Sequence, residues 1–410
     1  MEMELAKKLR ILYHHRTRGD GAEGVHINEM VEAFRELGHT VHCCCPPSAK
    51  RPPGLTMGMT GTASAKSQGW IGSTRIAFRQ SLELAYNAVS LARISRELKQ
   101  FRPDLIYERY SCYHVAGARA SRTHKVPFIL EVNSTYTGRF NRRQLAFPKT
   151  AARLESFALH QAKVVAVVSR PLKECVQDRG IPSERIVVTP NAVNDRVIRS
   201  LQLDPQAIRG QLGIDQDAVV IGFVGSLRQW HGVDMLMRAI PQVVQRVPNA
   251  VFLIVGSGEL ESDLKELHRK PELENRLILT GGVPHSKVYE FIASMDIGLM
   301  PHSNPWGSPM KILEYMALGK LCIAPRIAPI EEIVQDGVTG ILFPEGNESA
   351  FIEAMIKACL HYDTRVRVGQ NAKDYVLANR RWSDNVRIVL AAHASSSIES
   401  SETRAGRRLQ

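Results

Sequence analysis

Residues 219–232 read VVIGFVGSLRQWHG, and this stretch decides the fold. Its apolar run predicts a buried strand over 219–224, Gly225 predicts a tight turn, and a helix is expected to begin near Val233. A strand that passes through a glycine turn into a helix is the repeating unit of parallel sheets, because the helix carries the chain back across the sheet face. The stretch therefore predicts an α/β fold.

The same unit recurs along nearly the whole chain, where short β-branched runs alternate with longer helical patterns. This alternation predicts two doubly wound parallel sheets built from right-handed βαβ units. Strands of the first sheet are expected at 9–14, 40–45, 104–108, 127–132, 164–168 and 186–189. Strands of the second sheet are expected at 219–224, 250–255, 276–280, 295–300, 320–324 and 340–343.

The length of the chain also predicts two domains, since 410 residues exceed what one hydrophobic core usually serves. The cluster TPNAVN at 189–194 is typical of a hinge. A long mobile loop is expected at 46–73, where it would lie over a substrate. The expected units are a first domain at 1–190, a second at 191–364, a helix at 365–394 that crosses back to the first domain, and a disordered tail at 395–410.

The composition is that of an ordinary soluble protein, with 44% apolar and 23% charged residues and no run of about 18 apolar residues. It excludes the membrane-spanning and the disordered classes. The apolar stretch near the N-terminus is too short for a signal peptide, and the seven cysteines show no metal-ligand spacing. We therefore expect reduced cysteines in a cytoplasmic protein.

The positive charge of the chain is confined to its first half. Residues 1–190 hold 29 Lys and Arg against 16 Asp and Glu, whereas residues 191–410 hold 24 against 25. The first half is expected to meet an anionic partner, such as a nucleic acid, a membrane surface or an acidic substrate, although a solvated basic face gives the same pattern. Nucleic acid is the least favoured of these, because no nucleic-acid module is recognisable and aromatic residues make up only 6% of the chain.

Residues 19–24, GDGAEG, fit the glycine pattern of a dinucleotide-binding loop letter for letter, but their context does not. Arg16 to Arg18 separate the first glycine from the preceding strand, and no carboxylate follows the second strand at Cys45. We interpret the motif as a flexible loop before a helix, whose N–H groups near Gly21 suit a phosphate or a sugar edge. A loop that merely needs glycine is the alternative.

Three segments of the second half place phosphate-binding chemistry at the ends of strands. A helix N-terminus beside Arg228 favours a pyrophosphate, because free N–H groups, the helix dipole and a guanidinium all stabilise a dianion. Residues 255–258, VGSG, end another strand with a glycine turn, and 307–320 predict a helix with a proline start and a glycine exit. Lys311 and Glu314 share one face of that helix and would point together into a cleft, unless they form only a surface ion pair.

This ordered string of motifs resembles the nucleotide-sugar domain of the retaining glycosyltransferases of family 4, which have the two-domain GT-B fold. The ending SPMKILEYMA, together with EVN at 131–133, resembles a subgroup of that family. The resemblance covers nearly the whole chain and implies two Rossmann-like domains that face a central cleft. The matching segments are 225–232, 255–258, 296–301, 308–319 and 329–340, with a looser match at 38–41.

The resemblance also implies roles for individual residues. Arg228 matches the basic residue on the donor pyrophosphate, and Glu314 matches the carboxylate that accepts the hydroxyls of the nucleotide ribose. Arg228, Lys311, Glu314 and Asn133 are the expected catalytic group. No cofactor and no metal ion are expected, since no Asp-x-Asp arrangement is present. The expected donor-binding set is Gly21, Gly225, Ser226, Arg228, His231, Gly256, Gly258, Ser308, Pro309, Met310, Lys311 and Glu314.

Three positions depart from the family pattern. His231 stands where a lysine is usual, so its imidazole would donate a hydrogen bond to phosphate without a full charge. Trp306 stands where the family has a carboxylate, so sugar contacts are expected from backbone amides, the indole or Asn304. Asn133 stands where many members have a histidine that touches the sugar, with Glu131 one strand period before it. We interpret these departures as a substitute site.

The sequence thus predicts a retaining, metal-independent transfer of a sugar from a nucleotide-sugar donor to a lipid-linked or polysaccharide-precursor acceptor, at the inner face of the cytoplasmic membrane. The alternatives are a non-catalytic subunit of the same fold, a nucleotide-sugar epimerase, a phosphorylase and a nucleic-acid-binding protein. The patch expected to dock on an anionic membrane comprises Arg139, Arg142, Arg143, Lys149 and Arg153. The residues that would instead face the acceptor are Arg16, Arg18, Arg109 and Tyr110.

Overall fold

The computed structural model describes residues 8–17, 19, 21–46, 70–141 and 143–406. Most of the loop predicted at 46–73, together with Arg18 and Arg142, lies outside the described residues. The end of that predicted loop, 70–73, belongs to a long helix instead. Extending an existing helix adds one hydrogen bond for each residue fixed, which explains why the helix continues through this segment.

The first half alternates between strands and helices along a single parallel sheet. Its elements are β1 (Arg10–His14), α1 (Gly21–Glu36), β2 (Thr40–Cys44), α2 (Trp70–Phe101), β3 (Leu105–Arg109), α3 (Ala116–His124), β4 (Phe128–Val132), α4 (Pro148–Gln161), β5 (Val164–Val167), α5 (Arg170–Gln177) and β6 (Ile186–Val188). The strand order is β2-β1-β3-β4-β5-β6.

The second half repeats this plan. Its first elements are α6 (Asp195–Ser200), α7 (Pro205–Gln211), β7 (Val219–Val224), α8 (Val233–Arg246), β8 (Ala250–Val255), α9 (Glu261–His268), β9 (Leu277–Gly281), α10 (His285–Ser294) and β10 (Ile297–Leu299). They are followed by α11 (Met310–Ala317), β11 (Leu321–Arg326), α12 (Ala328–Glu331), β12 (Ile341–Pro344), α13 (Glu348–Leu360), α14 (Tyr362–Asn379) and α15 (Trp382–Gly406). The strand order is β12-β11-β10-β7-β8-β9.

Both sheets confirm the predicted α/β fold, and each predicted strand is present with its ends shifted by at most two residues. Every residue of β7 and β8 is buried, as expected for strands that helices cover on both faces. In each sheet the order reverses beside the first strand, since β1 lies between β2 and β3, and β7 lies between β10 and β8. At such a switch point the carboxyl ends of the strands open a crevice where ligands bind.

The single helix predicted at 365–394 is two helices. α14 packs on α11 in the second half, whereas α15 crosses to the first half and packs on α1. Trp382, Val386 and Val389 of α15 join the buried core beside α1 and β1. The chain turns between the two helices at Arg381, which forms a bridge with Val193.

α15 continues to Gly406, so the tail predicted to be disordered at 395–410 is helical up to that residue, and 407–410 lie outside the described residues. Its backbone extends a helix already nucleated by buried residues, and such extension needs little apolar surface of its own. In the part of the chain that the structure describes, no helix combines the length and hydropathy needed to span a membrane. The seven cysteines are all free thiols.

Candidate functional site

Two glycine turns follow the ends of β7 and β8 and lie against each other. Gly225 and Gly256 have φ values of +139° and +150°, a conformation that side chains rarely permit. A Cβ atom on Gly256 would lie 1.9 Å from the carbonyl oxygen of Gly225, and one on Gly258 would lie 2.5 Å from that of Leu227. The amide of Leu227 donates to the carbonyl of Ser257 at 3.0 Å. Gly256 and Gly258 are therefore required for the two turns to pack against each other.

α11 begins beside these turns, and Tyr315 holds it there. The amide of Val224 donates to the Tyr315 hydroxyl at 2.9 Å, and a Cβ on Gly298 would lie 2.3 Å from the Tyr315 ring. Pro309 precedes the helix, and within the described chain no side chain caps its first N–H groups. The backbone amides at the start of α11 are thus placed to bind an anion or a sugar hydroxyl.

Lys311, in the first turn of α11, brings a buried cation to the glycine turns. Its Nζ atom lies 4.1 Å from the centre of the Phe223 ring, and a Cβ on Gly225 would lie 2.8 Å from it. Nζ is shielded from solvent and has no hydrogen-bond partner among the described residues. Burial lowers the pKa of Lys311 to about 7, although the charge of Glu314 partly opposes this. A buried amine without an acceptor indicates that an anion completes the site.

His231 lies beside the same turn in its neutral form. Its Nδ1 atom is 2.7 Å from the carbonyl oxygen of Ser226, which also accepts from the amide of the half-buried Arg228. Because a carbonyl can only accept, Nδ1 carries the proton and Nε2 has a lone pair. Burial and the charge of Lys311 lower the pKa of His231 to about 3. The hydrogen bond to phosphate expected from this ring would therefore require a second proton.

Glu314 is buried one turn further along α11 and contacts a histidine that the sequence did not reveal. His285, the first residue of α10, places Nε2 at 3.2 Å from Glu314 Oε1. Burial alone would lower the pKa of His285, but the hydrogen bond and charge of Glu314, with the charge of Glu29, raise it. Since Glu29 belongs to α1, His285 lies between carboxylates of the two halves.

The loop before α11 is fastened to the segment that joins the two halves. The amide of Asn191 donates to Ser308 Oγ at 2.9 Å, and the Asn191 side-chain amide donates to the Ser308 carbonyl. Asn191 Oδ1 lies 2.7 Å from His26 Nδ1, and His26 Nε2 lies 2.9 Å from Glu131 Oε1. A chain of polar contacts therefore links the first half to the backbone that precedes α11.

Glu131 is the centre of this network and holds Asn133 in place. Glu131 is 2% exposed and accepts hydrogen bonds from the Asn133 amide, the Arg109 guanidinium and the Tyr107 hydroxyl. Burial alone would raise the pKa of Glu131, but the charges of His26 and Arg109 hold it well below its usual range. The position of Asn133 is thus fixed by a carboxylate that stays ionised.

Trp306 and Asn304, from which sugar contacts are expected, both have partners within the protein. The Trp306 ring stacks on Phe140 of the first half, with ring centroids 4.9 Å apart, and the residue is 7% exposed. Asn304 Oδ1 accepts from the amides of Trp306 and Gly307 and shapes their loop. Trp306 therefore holds the loop against the first half with the face of its indole covered by Phe140, and Asn304 fixes the shape of the loop itself.

Most of the residues suggested as acceptor contacts are engaged within the first half. Arg109 pairs with Glu131 at 2.6 Å, and Tyr110 is buried. These two side chains therefore expose little surface to an acceptor. The guanidinium of Arg16 lies 5.0 Å from the centre of the Tyr86 ring, and Arg18 is outside the described residues.

Two arginines of the patch predicted to dock on a membrane form ion pairs within the protein. Arg139 forms an ion pair with Glu174 at 3.1 Å, and Arg143 forms one with Glu83 at 2.6 Å. Both arginines are therefore paired within the protein. Paired charges interact only weakly with a distant surface, so these two contribute little to membrane binding. Arg142 lies outside the described residues. Among the described residues, the exposed members of the patch that form no ion pair are Lys149 and Arg153.

The glycine motif of the first half starts α1. Gly21 has a φ of +62°, and nothing lies within 4 Å of the position of a Cβ there. A Cβ on Gly24 would lie 2.0 Å from the carbonyl oxygen of Gly19, so the loop folds back tightly on the helix. Gly24 is thus required for packing, whereas the open surroundings of Gly21 are compatible with a ligand at the helix N-terminus.

One group among the described residues has the composition of a metal site. His14, Glu108 and His114 are buried near the ends of β1 and β3, with ligand atoms within 4.8 Å of one another. His14 Nδ1 and Glu108 Oε2 are only 2.7 Å apart. Two ligands of a tetrahedral Zn²⁺ with bonds near 2.05 Å lie about 3.3 Å apart. A hydrogen bond therefore explains the pair better than a shared ion.

The two halves of the chain match two family models. Residues 23–197 match the model described as Glycosyltransferase Family 4. Residues 218–361 match the model described as Glycosyl transferases group 1. The two matches together include strands of both sheets.

Curated relatives and solved structures agree with these matches. An uncharacterized glycosyltransferase of Methanocaldococcus jannaschii is 25% identical over 277 residues, which are 67% of this chain and 70% of that protein. The lipopolysaccharide 1,2-N-acetylglucosaminetransferase of Salmonella typhimurium is 27% identical over 233 residues, which are 55% of this chain and only 60% of that protein. A crystal structure of Anabaena HepE in complex with UDP-glucose has a TM-score of 0.67 at 19% identity and covers 95% of this chain and 99% of that one.

Proposed function

This chain belongs to the glycosyltransferases of family 4 with the GT-B fold, and from that premise we propose that it transfers a sugar from a nucleotide diphosphate sugar to a glycan acceptor, with retention of configuration. One arrangement carries the proposal. The two glycine turns, the N-terminus of α11 and the unpartnered Nζ of Lys311 meet at the end of β7, and we refer to them as the donor cradle. The UDP-glucose bound by the Anabaena protein of the same fold supports a ligand of this class.

In the proposed reaction the donor cradle stabilises the departing nucleoside diphosphate. The bond between the sugar C1 and the phosphate oxygen breaks, and negative charge gathers on the diphosphate. Arg228, Lys311 and the first amides of α11 are the groups assigned to that charge. They are fixed before the reaction and act away from bulk water, where electrostatic stabilisation is strongest. We propose that they replace a divalent metal ion, since the sequence has no Asp-x-Asp pair.

Retention follows from the direction of attack in this proposal. The acceptor hydroxyl approaches C1 from the face that the diphosphate leaves, and a bond forms between C1 and the acceptor oxygen. The hydroxyl proton passes to an oxygen of the departing phosphate, so no protein base is required. Water would compete for C1, and the contact of Trp306 with Phe140 supports a closed arrangement that excludes it.

Two polar residues are assigned to the rest of the donor. His285 holds Oε1 of Glu314, which leaves Oε2 to accept hydrogen bonds from the ribose hydroxyls. Asn133 donates its amide to Glu131, which leaves its own carbonyl oxygen to accept from a sugar hydroxyl. His231 is assigned a structural role in the turn, because its Nδ1–H already donates to the Ser226 carbonyl.

The acceptor is proposed to be a lipid-linked or polysaccharide precursor at the inner face of the cytoplasmic membrane. The excess of positive charge in residues 1–190 supports an anionic partner for the first half. The Salmonella relative is named for lipopolysaccharide, in which a glycan is carried on a lipid. The protein would then bind the membrane peripherally.

Arg228→Ala tests the assigned chemistry. Turnover should fall about 100-fold or more, because one charged contact to the leaving group is lost where it strengthens in the transition state. Arg269→Ala removes an exposed arginine of the same half and should leave turnover unchanged. Activity of Arg228→Ala within about threefold of wild type would contradict the role.

The donor itself can be identified by thermal stabilisation. UDP, GDP, ADP and their sugars are added to the purified chain, since a ligand that binds only the folded state raises Tm. Hydrolysis or transfer of the stabilising donor by the single chain would establish an enzyme. Binding without either reaction would instead favour a non-catalytic subunit of the same fold.

A further inference from the structure

The outward face of α2 carries an apolar stripe that no part of the first domain covers among the described residues. Phe78, Leu82 and Val89 are 68%, 55% and 54% exposed, and Ala85 and Ala92 between and beyond them are also exposed. At about 100° per residue these five positions fall within an arc of about 80°. Single exposed apolar residues are common, but a continuous stripe along about four turns of a helix indicates an interaction surface.

The buried face of the same helix is held by polar contacts in its first part, around Gln80 and Asn87, and by the apolar residues Ile94 and Leu98 further along. Gln80 is 1% exposed and accepts from the Tyr113 hydroxyl at 2.6 Å. Asn87 accepts from the amide of Val115 at 2.9 Å and donates to the carbonyl of Tyr113 at 2.8 Å. Hydrogen bonds therefore fix this part of α2 to the first half, and the apolar stripe is not needed to hold it.

Positive charge flanks the apolar stripe. Of the two carboxylates of α2, Glu83 is neutralised by Arg143 at 2.6 Å, and Glu97 lies 2.9 Å from His42. Arg79 is also within 3.6 Å of Glu83, but its side chain is 71% exposed. The exposed cations of the helix are Arg75, Arg79, Arg96 and Lys99.

We propose that this apolar stripe and its flanking cations form a docking surface for an anionic lipid bilayer. An amphipathic helix with basic residues beside its apolar face lies in the plane of the interface, with the apolar side chains below the headgroups and the cations among the phosphates. The inference rests on the proposed function, because it names the surface by which the acceptor-binding half meets its membrane. It places that surface on the outward face of α2, whereas Arg143 pairs with Glu83 of the same helix and Arg139 pairs with Glu174.

Charge decides between a bilayer and a second copy of the chain. Two such faces packed together would bring the cations of one helix against those of the other, and Glu83 of α2 is already paired with Arg143. Like charges in that position repel, whereas lipid phosphates complement them. A bilayer is therefore the occupant that fits both the apolar and the charged part of the surface.

Sedimentation with vesicles tests the proposal on the full chain. Vesicles of phosphatidylcholine alone are compared with vesicles that also contain phosphatidylglycerol. Wild type should bind the anionic vesicles, and added salt should weaken the binding. The double variants Phe78→Ser with Leu82→Ser, and Arg75→Gln with Arg79→Gln, should each bind at least tenfold more weakly.

A matched control comes from the second half, where Leu360 and Val366 are 64% and 50% exposed. Leu360→Ser with Val366→Ser should bind vesicles like wild type. All variants should keep Tm within about 2 °C, since exposed substitutions change stability little. Their stabilisation by the donor nucleotide should also be unchanged, so a failure of donor binding and a failure of vesicle binding are separate results.

Three results would overturn the proposal. Equal binding of wild type and the Phe78→Ser, Leu82→Ser variant to anionic vesicles would show that the stripe does not dock. Conversion of a dimer to a monomer by that variant would identify a second copy as the occupant. A clear fall in its Tm would show that the stripe is covered by the chain itself.

Discussion

Lys311→Met tests the donor cradle at its centre. Methionine keeps the apolar stem that packs over Phe223 and removes only the amine. A hydrogen bond from a charged donor contributes about 1.5–3 kcal/mol, so the affinity for UDP should fall about 10- to 150-fold at pH 7. Folding should not suffer, because among the described residues the Nζ atom has no hydrogen-bond partner to lose.

The pH dependence of UDP binding gives the sharper form of this test. In the free protein burial lowers the pKa of Lys311 to about 7, so the amine is about nine-tenths neutral at pH 8. A bound diphosphate supplies an opposite charge and should return the pKa towards its ordinary value of 10.5. The higher pKa belongs to the bound state, so binding is strongest below pH 7 and weakens about tenfold per pH unit as the pH rises from about 7 towards 10. UDP keeps its charge over this range, because the second pKa of a phosphate is near 6.

Calorimetry of UDP binding at pH 8, in two buffers with different protonation enthalpies, counts the protons taken up. Wild type should take up about 0.9 proton, and Lys311→Met should take up none. Lys320→Met is the matched control, since burial lowers the pKa of Lys320 to about 8 but its Nζ donates to the Ala293 carbonyl. His231→Gln should also keep the uptake, because the pKa of His231 is about 3. No uptake by wild type, or unchanged uptake by Lys311→Met, would refute the assignment.

Three further variants test the surroundings of the donor cradle. Gly256→Ala should abolish UDP binding and lower Tm sharply, because its Cβ would lie 1.9 Å from a carbonyl oxygen. The control Gly346→Ala has no close neighbour among the described residues and should lower the free energy of unfolding by only about 1 kcal/mol. Equal losses of the two variants in thermal melts would contradict this packing. Glu131→Gln should destabilise by about 3 kcal/mol at pH 7. The pKa of Glu131 is held low in the folded state, so the difference in unfolding free energy between wild type and this variant should be present above the ordinary carboxyl pKa and shrink as the pH falls below it. Urea unfolding that shows no such pH dependence would be evidence against the network. Asn191→Ala removes the hydrogen bond of the Asn191 side chain to the Ser308 carbonyl and should raise KM for the donor about tenfold, with a smaller change in kcat. Initial rates that show a large fall in kcat at unchanged KM would exclude a positioning role.

The strands and the glycine turns could be predicted from the sequence because they are local. Continuous apolar runs specify buried strands, and the turn at Gly225 follows directly from the strand before it. Lys311 and Glu314 share a helix, so their common face was predictable from their spacing. The burial of the Lys311 amine was not predictable, because it depends on how closely Phe223 and the glycine turns pack around it.

The contacts that cross between the two halves could not be predicted from the sequence. Asn191 and Ser308 are 117 residues apart, and no periodicity relates them. Trp306 is a reasonable sugar platform in the sequence, but Phe140 of the other half covers it. The exposed stripe on α2 is a similar case, because the sequence places apolar residues on both faces of this helix. The burial of Ile94 and Leu98 and the hydrogen bonds of Gln80 show which face packs on the domain. Pairing between distant segments decided each of these outcomes.

The crossing of α15 has a consequence for how the chain is made. Strands β1 to β6 leave the ribosome first, yet the core beside them is completed by Trp382, Val386 and Val389, which are translated after the whole second sheet. The later-made half is continuous in sequence from α6 to α14, so it can finish folding before the earlier one does. Synthesis that stops at Arg380 should therefore leave an intact second half and a first half with an open apolar face, which chaperones and proteases would recognise.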